Sequence, residues 1–103
     1  MNANYTDNIP DAWRDSAKFF SALGDEHRQR ILLTFDKGER LNVSQLVAVS
    51  TLSRSAVSHH LKILKEAGIL RSRKEGKEVY FWINSERLNE ALLAVLAHVK
   101  TMA

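Results

Sequence analysis

The 103-residue sequence contains no cysteine. That excludes a disulfide framework, a thiolate metal site and a thiol redox sensor within this chain, and it suits a cytoplasmic setting. The longest apolar runs are only a few residues, so no membrane span is expected. The opening MNANYTDNIP has no basic stretch followed by an apolar one, and so does not read as a secretory signal. With one proline and four glycines there is no low-complexity segment, no internal repeat and no linker long enough to separate two domains. Also missing are a nucleophile elbow, a phosphate-binding glycine loop and a carboxylate pair at a recognisable spacing. Ser53, Ser55 and Ser58 lie near histidines but have no acidic orienter, so no enzyme is expected.

What is present is 45% hydrophobic residues in one small domain, a core that dimerisation would enlarge. The net charge of +3 is unevenly spread. Residues 53–78 hold seven basic and three acidic side chains, while the remainder holds eight and nine. A basic segment on an otherwise neutral chain is the electrostatic footprint of a polyanion-binding surface, although a merely solvated face has the same composition.

Residues 1–9 are polar and unpatterned and are expected to be mobile. Residues 10–103 form the domain. A first helix is expected from Pro10 or Asp11 through Trp13, Ala17, Phe20 and Leu23. Asp25 then caps a second helix through Ile31, Leu32 and Phe35 that stops before Gly38. His27 shares the arc of Ile31 and Phe35, which predicts a partly buried structural histidine. Asn42 with Gln45 three residues on signals a capping box and a short third helix. Residues 50–52 interrupt the pattern, and Ser53 caps a fourth helix that ends at Gly68.

In that fourth helix, at about 100° per residue with Val57 as zero, Leu61 and Leu64 fall within about 40° of it, while Ser55, Ser58, His59 and Lys62 gather between roughly 100° and 200°. His59 therefore points outward and His60 flanks the core. Two imidazoles diverging by ~100° cannot close on one ion, so the adjacent pair is no metal motif. The outward face instead offers donors of the reach that base edges and phosphates accept. A short helix, a tight turn and such a helix form a helix-turn-helix. After Gly68 the period changes to that of a β-hairpin whose tip carries Arg73, Lys74 and Lys77, in other words a wing. Asn84 or Ser85 caps a last helix in which Leu88, Leu92, Val95, Val99 and Met102 form a stripe that calls for a partner helix. The expected fold is mainly α with a two-stranded β wing: a winged helix-turn-helix of about five helices in the order α-α-α-α-β-β-α.

The runs FSALGDEHRQRIL, NVSQLVAVSTLSRSAVSHHLKILKEAGIL and RSRKEGKEVYFWIN resemble the ArsR family of winged-helix transcription factors over about residues 19–84. The resemblance implies a homodimer, joined through its first and last helices, that represses transcription from an inverted-repeat operator in double-stranded DNA. On that reading Arg54, Ser55, Ser58 and His59 contact bases, and Lys62, Arg71, Arg73, Lys74 and Lys77 contact phosphates. Leu88, Leu92, Val95 and Val99, with Trp13 and Phe20, form the dimer seam. The sequence departs from the family in three places. Asn42 and Ser44 stand where many members carry metal-binding cysteines. On the last helix Ser85, Arg87, His98 and Thr101 stand at a second family metal site, where only His98 is a ligand type. Thr51 replaces a glycine usual in the turn. The expectation is therefore a regulator with no metal, no cofactor and no thiol switch, and with any small-molecule effector unnamed. The alternatives are a winged-helix protein-interaction module and a zinc-responsive repressor using His98.

Overall fold

The computed structural model describes residues 1–5 and 7–103, with the side chain of Ala12 also outside the description. Five helices and three strands follow one another: α1 Asp11–Leu23, α2 Glu26–Thr34, β1 Leu41–Asn42, α3 Val43–Val49, α4 Arg54–Glu66, β2 Leu70–Glu75, β3 Glu78–Ile83 and α5 Ser85–Met102. Local side-chain chemistry sets the starts of four of the five helices. The Asp25 carboxylate accepts the Arg28 N–H, and Asn42 and Gln45 exchange both bonds of a capping box at 2.9 Å each. Ser53 and Asn84 accept from Ala56 N–H and Arg87 N–H in the same way. Each such cap is worth ~1 kcal/mol. α4 stops where Gly68 takes φ +78°: its N–H reaches the Lys65 carbonyl and that of Ile69 reaches the Leu64 carbonyl, closing the helix end.

The core is built from Phe19 and Ala22 of α1, Ile31 and Phe35, Leu46 of α3, Val57, Leu61 and Leu64 of α4, Ile69, Leu70, Phe81 and Ala91. The expected helical stripe of α4 is thus the buried one. In α1 the buried arc is Ser16, Phe19 and Ala22, and Phe20 remains 40% exposed. His27 corrects the sequence expectation, because it is exposed. The arc through Ile31 and Phe35 is not continuous helix. α2 ends at Thr34, and Phe35 enters the core from extended backbone (φ −76°, ψ 124°), so no burying stripe reaches back to His27.

The two-stranded wing is present, and a short third strand adds to it. β1 pairs with β3 in the order β1-β3-β2, all antiparallel, with Leu41 opposite Phe81 and Asn42 opposite Tyr80. The hairpin turns over two residues, Gly76 and Lys77, between the facing pair Glu75 and Glu78. Gly76 has φ +63° and Lys77 does not share it, the pattern of the turn that places glycine first.

Candidate nucleic-acid interface

The polar face of α4 forms as its spacing requires: Arg54, Ser55, Ser58, His59 and Lys62 are all exposed, opposite the buried Val57, Leu61 and Leu64. Not all of them are free. The Arg54 guanidinium donates to the Ser44 hydroxyl at 2.6 Å, crossing from the first turn of α4 to the first turn of α3. Ser55 lies 3.2 Å, oxygen to oxygen, from the capping Ser53. The turn between the two helices needs no glycine. No non-glycine residue described has positive φ, Thr51 included, and the Ser50 hydroxyl accepts the Leu52 N–H at 3.2 Å.

In the wing, side chains alternate between faces. Leu70, Ser72 and Lys74 lie opposite Ile83, Phe81 and Val79, and Arg71 and Arg73 lie opposite Trp82 and Tyr80 on the other face. The structure thus groups Arg71 with Arg73, sets Lys74 on the opposite face and puts Lys77 at the turn. Arg40, which no sequence pattern singled out, adds a cation to this sheet: its guanidinium carbon lies 4.1 Å from the Trp82 ring centroid, and Nη1 lies 3.7 Å from the Glu75 carboxylate. The contacts of Ser44 and Arg40 are among those the sequence reading missed. Both act through residues 10 or more positions away, which no helical or strand periodicity links.

Behind α4, His60 is half-buried, with Nδ1 3.3 Å from Arg28 Nη1. Since guanidinium only donates, Nδ1 is placed as the acceptor of this contact, the role open to it when the ring is neutral with its proton on Nε2. Burial pushes its pKa below the ordinary value. The Asp25 carboxylate opposes that shift, and the charges of Arg28, His59 and His27 add to it. Arg28 also donates to the carbonyls of Ala22 and Ser21, tying α2 to the end of α1.

The first and last helices pack together, with Trp13 edge-on to His98 at 5.1 Å between ring centroids. The Trp13 Nε1 is buried and has no hydrogen-bond partner among the described residues. Of the expected seam residues, Leu88 and Val95 are half-buried within the chain, while Phe20, Leu92 and Val99 are exposed. Leu93, Leu96 and Met102 are further exposed apolar side chains of α5. Arg87 is committed internally, donating to the Asp15 carbonyl at 3.3 Å. At the family metal positions Asn42 is a helix cap, Ser44 holds Arg54 and the Thr101 hydroxyl donates to the His98 carbonyl. Among the described residues no three His, Cys, Asp or Glu side chains converge as metal ligands, and no helix is long and apolar enough to cross a membrane.

A model of bacterial regulatory proteins of the arsR family matches residues 25–72, the span from the Asp25 cap into the wing. A cadmium resistance transcriptional regulatory protein CadC homolog of Staphylococcus aureus is 34% identical over 89 residues, 86% of this chain and 74% of its own. The chain belongs to the ArsR family. A transcriptional repressor SmtB homolog of a Synechocystis species is 33% identical, over 87% of this chain and 67% of that one. An ArsR-like transcriptional regulator from Rhodococcus sp. RHA1 superposes with a TM-score of 0.73 at 28% identity, covering 88% of this chain and 94% of that structure. This ArsR-family protein is accordingly a DNA-binding transcriptional regulator and not an enzyme. Its helix-turn-helix is α3 and α4, its wing is β2 and β3, and β1 ties the two together through β3.

Proposed function

We propose that the chain is a homodimeric, sequence-specific repressor that acts on inverted-repeat operators in the cytoplasm and responds to neither metals nor thiol chemistry. The observation that carries the dimer is the uncovered apolar surface of α5. Leu92, Leu93, Leu96 and Val99 are each more than two-fifths exposed on one helix that already rests on α1 by its other side. Apolar surface of that extent on a small protein marks a contact. A two-fold pairing there would place two copies of α4 on one DNA duplex.

Within each copy Arg54, Ser55, Ser58 and His59 would read bases, and Lys62, Arg71, Arg73, Lys74 and Lys77 would hold phosphates. The repressor role is supported by the relative from Synechocystis, which is named a repressor. Insensitivity to metals is supported by what occupies the two family positions: amide, hydroxyl and guanidinium groups, most of them engaged in protein hydrogen bonds, with His98 the one imidazole.

A titration of duplex affinity against salt tests the reading. With about three or four phosphates neutralised per subunit, log affinity should fall against log salt with a slope of roughly −5 to −7. Salt-insensitive capture of a protein partner with no shift of duplex DNA would support a protein-docking module instead.

A further inference from the structure

A cavity of about 270 Å³ lies between α2, the end of α3 and the turn that leads into α4. The buried Ile31 and Leu46 and the half-buried Leu52 give it apolar walls, and the exposed His27 and Arg30 stand beside them. Val49 lines it as well and is 70% exposed, a β-branched apolar side chain at the open edge of the cavity. We infer that this cavity is an effector site for a small organic carboxylate with a short hydrocarbon body. The inference rests on the DNA-binding reading for its regulatory half only.

The ligand class follows from three features. The volume lies just below the roughly 300–1,000 Å³ of pockets for drug-sized ligands, so the occupant is smaller than those. Ile31, Leu46, Val49 and Leu52 give the cavity a continuous apolar part and His27 and Arg30 a polar end, which favours a ligand with a hydrocarbon body and one polar head. The Arg30 guanidinium, with Glu26 close to it, leaves room for a single negative charge. The planar guanidinium of Arg30 matches a carboxylate in a bidentate fork. Arg30 is at present paired with Glu26 at 2.6 Å, but both side chains are largely exposed. An exposed i, i+4 pair of this kind contributes little, so exchanging one carboxylate for another is inexpensive.

Coupling to DNA follows from where the walls are. Ser50, Thr51 and Leu52 form the turn that sets the angle at which α4 leaves α3, and all three line the cavity. A ligand held against them favours one such angle over others, and differential affinity for two arrangements is what a population shift requires. The Ser44–Arg54 hydrogen bond spans the same two helices, so a change in their angle is felt at the first residue of the recognition helix.

The test uses the full-length protein with octanoate, 1-octanol and octylamine as probes in calorimetry, together with a DNA duplex selected from random sequence by the protein itself. Octanoate should bind at one site per chain, about tenfold or more tighter than the other two. Arg30→Gln should weaken octanoate about tenfold by removing the fork, and Val49→Trp should weaken it by filling the edge; neither should alter DNA affinity in the absence of octanoate. Octanoate should change the affinity for the selected duplex at least about fivefold in the wild type and not in Arg30→Gln. Equal binding of octanoate and octanol, or unchanged octanoate binding in both variants, overturns the site. Specific binding that leaves DNA affinity unchanged overturns the effector role. Failure to select any duplex contradicts the DNA reading instead, and the effector role with it, while the calorimetric comparison still decides the site.

Discussion

Arg54 and Ser44 are joined by a 2.6 Å hydrogen bond between the two helices of the helix-turn-helix. Arg54 is the first residue of α4, and an exposed arginine there samples many rotamers unless something holds it. Ser44 supplies that hold from the first turn of α3.

The pair is separable by a double-mutant cycle on DNA affinity. Ser44→Ala should weaken cognate binding by ~1 kcal/mol in the wild-type background and by much less when Arg54 is already alanine, while Ser44→Thr retains most of the affinity. Additive losses from the two alanine substitutions would show that Ser44 contacts DNA on its own account and does not position Arg54.

How far these features could be read from sequence depended on the distance over which their causes act. The Asn42–Gln45 box, the Ser53 cap, the end of α4 at Gly68 and the glycine in the wing turn are all set by residues within about four positions of one another, and each is visible in the chain. The outward face of α4 followed from periodicity alone. In contrast, β1 is two residues long and exists because Phe81 and Tyr80 lie opposite it, some forty positions away. The rotation of α1 that buries Phe19 and leaves Phe20 at the surface is decided by what α4 and α5 offer, since two adjacent phenylalanines are equally apolar in sequence. Arg40 lies over Trp82 and Ser44 holds Arg54 for the same long-range reason.

Stability should fall as the solution is acidified through the histidine range. The pKa of His60 is depressed in the folded protein, first by burial and further by Arg28, His59 and His27, with Asp25 opposing. Between the folded value and the unfolded value near 6.5 the unfolded chain binds more protons, so the free energy of unfolding rises with pH across that window and is lost below it. Urea unfolding at fixed protein concentration should therefore give a higher midpoint at about pH 7.5 than at about pH 5. His60→Gln should reduce the difference between the two. Asp25, whose carboxyl is held below its usual value chiefly by the Arg28 N–H, adds a separate loss only at lower pH, below the ordinary carboxylate range. An identical pH dependence in His60→Gln would rule out this imidazole as the cause.

Metals and oxidants should leave DNA affinity nearly unchanged. A transition metal needs about four suitable ligands, and His98, packed on Trp13, is the one imidazole at either family position. With no cysteine there is no thiol for oxidants or persulfides to modify. Affinities measured with and without zinc, nickel, cobalt, arsenite and peroxide should agree within about threefold, below the usual range of allosteric coupling. A metal-dependent drop of tenfold or more that disappears in His98→Ala would restore the sensor reading.

The central claim is that two copies of this chain, joined through α5, place two recognition helices on one duplex. Footprinting of the protein on a selected operator measures this most directly. The account predicts protection of an inverted repeat whose half-sites lie about 10 base pairs apart centre to centre, the spacing of successive major grooves. It also predicts that Leu96→Glu, which puts a charge on the exposed apolar face of α5, abolishes protection of both half-sites together. Protection of one unrepeated half-site by a monomer, unaffected by Leu96→Glu, would contradict it.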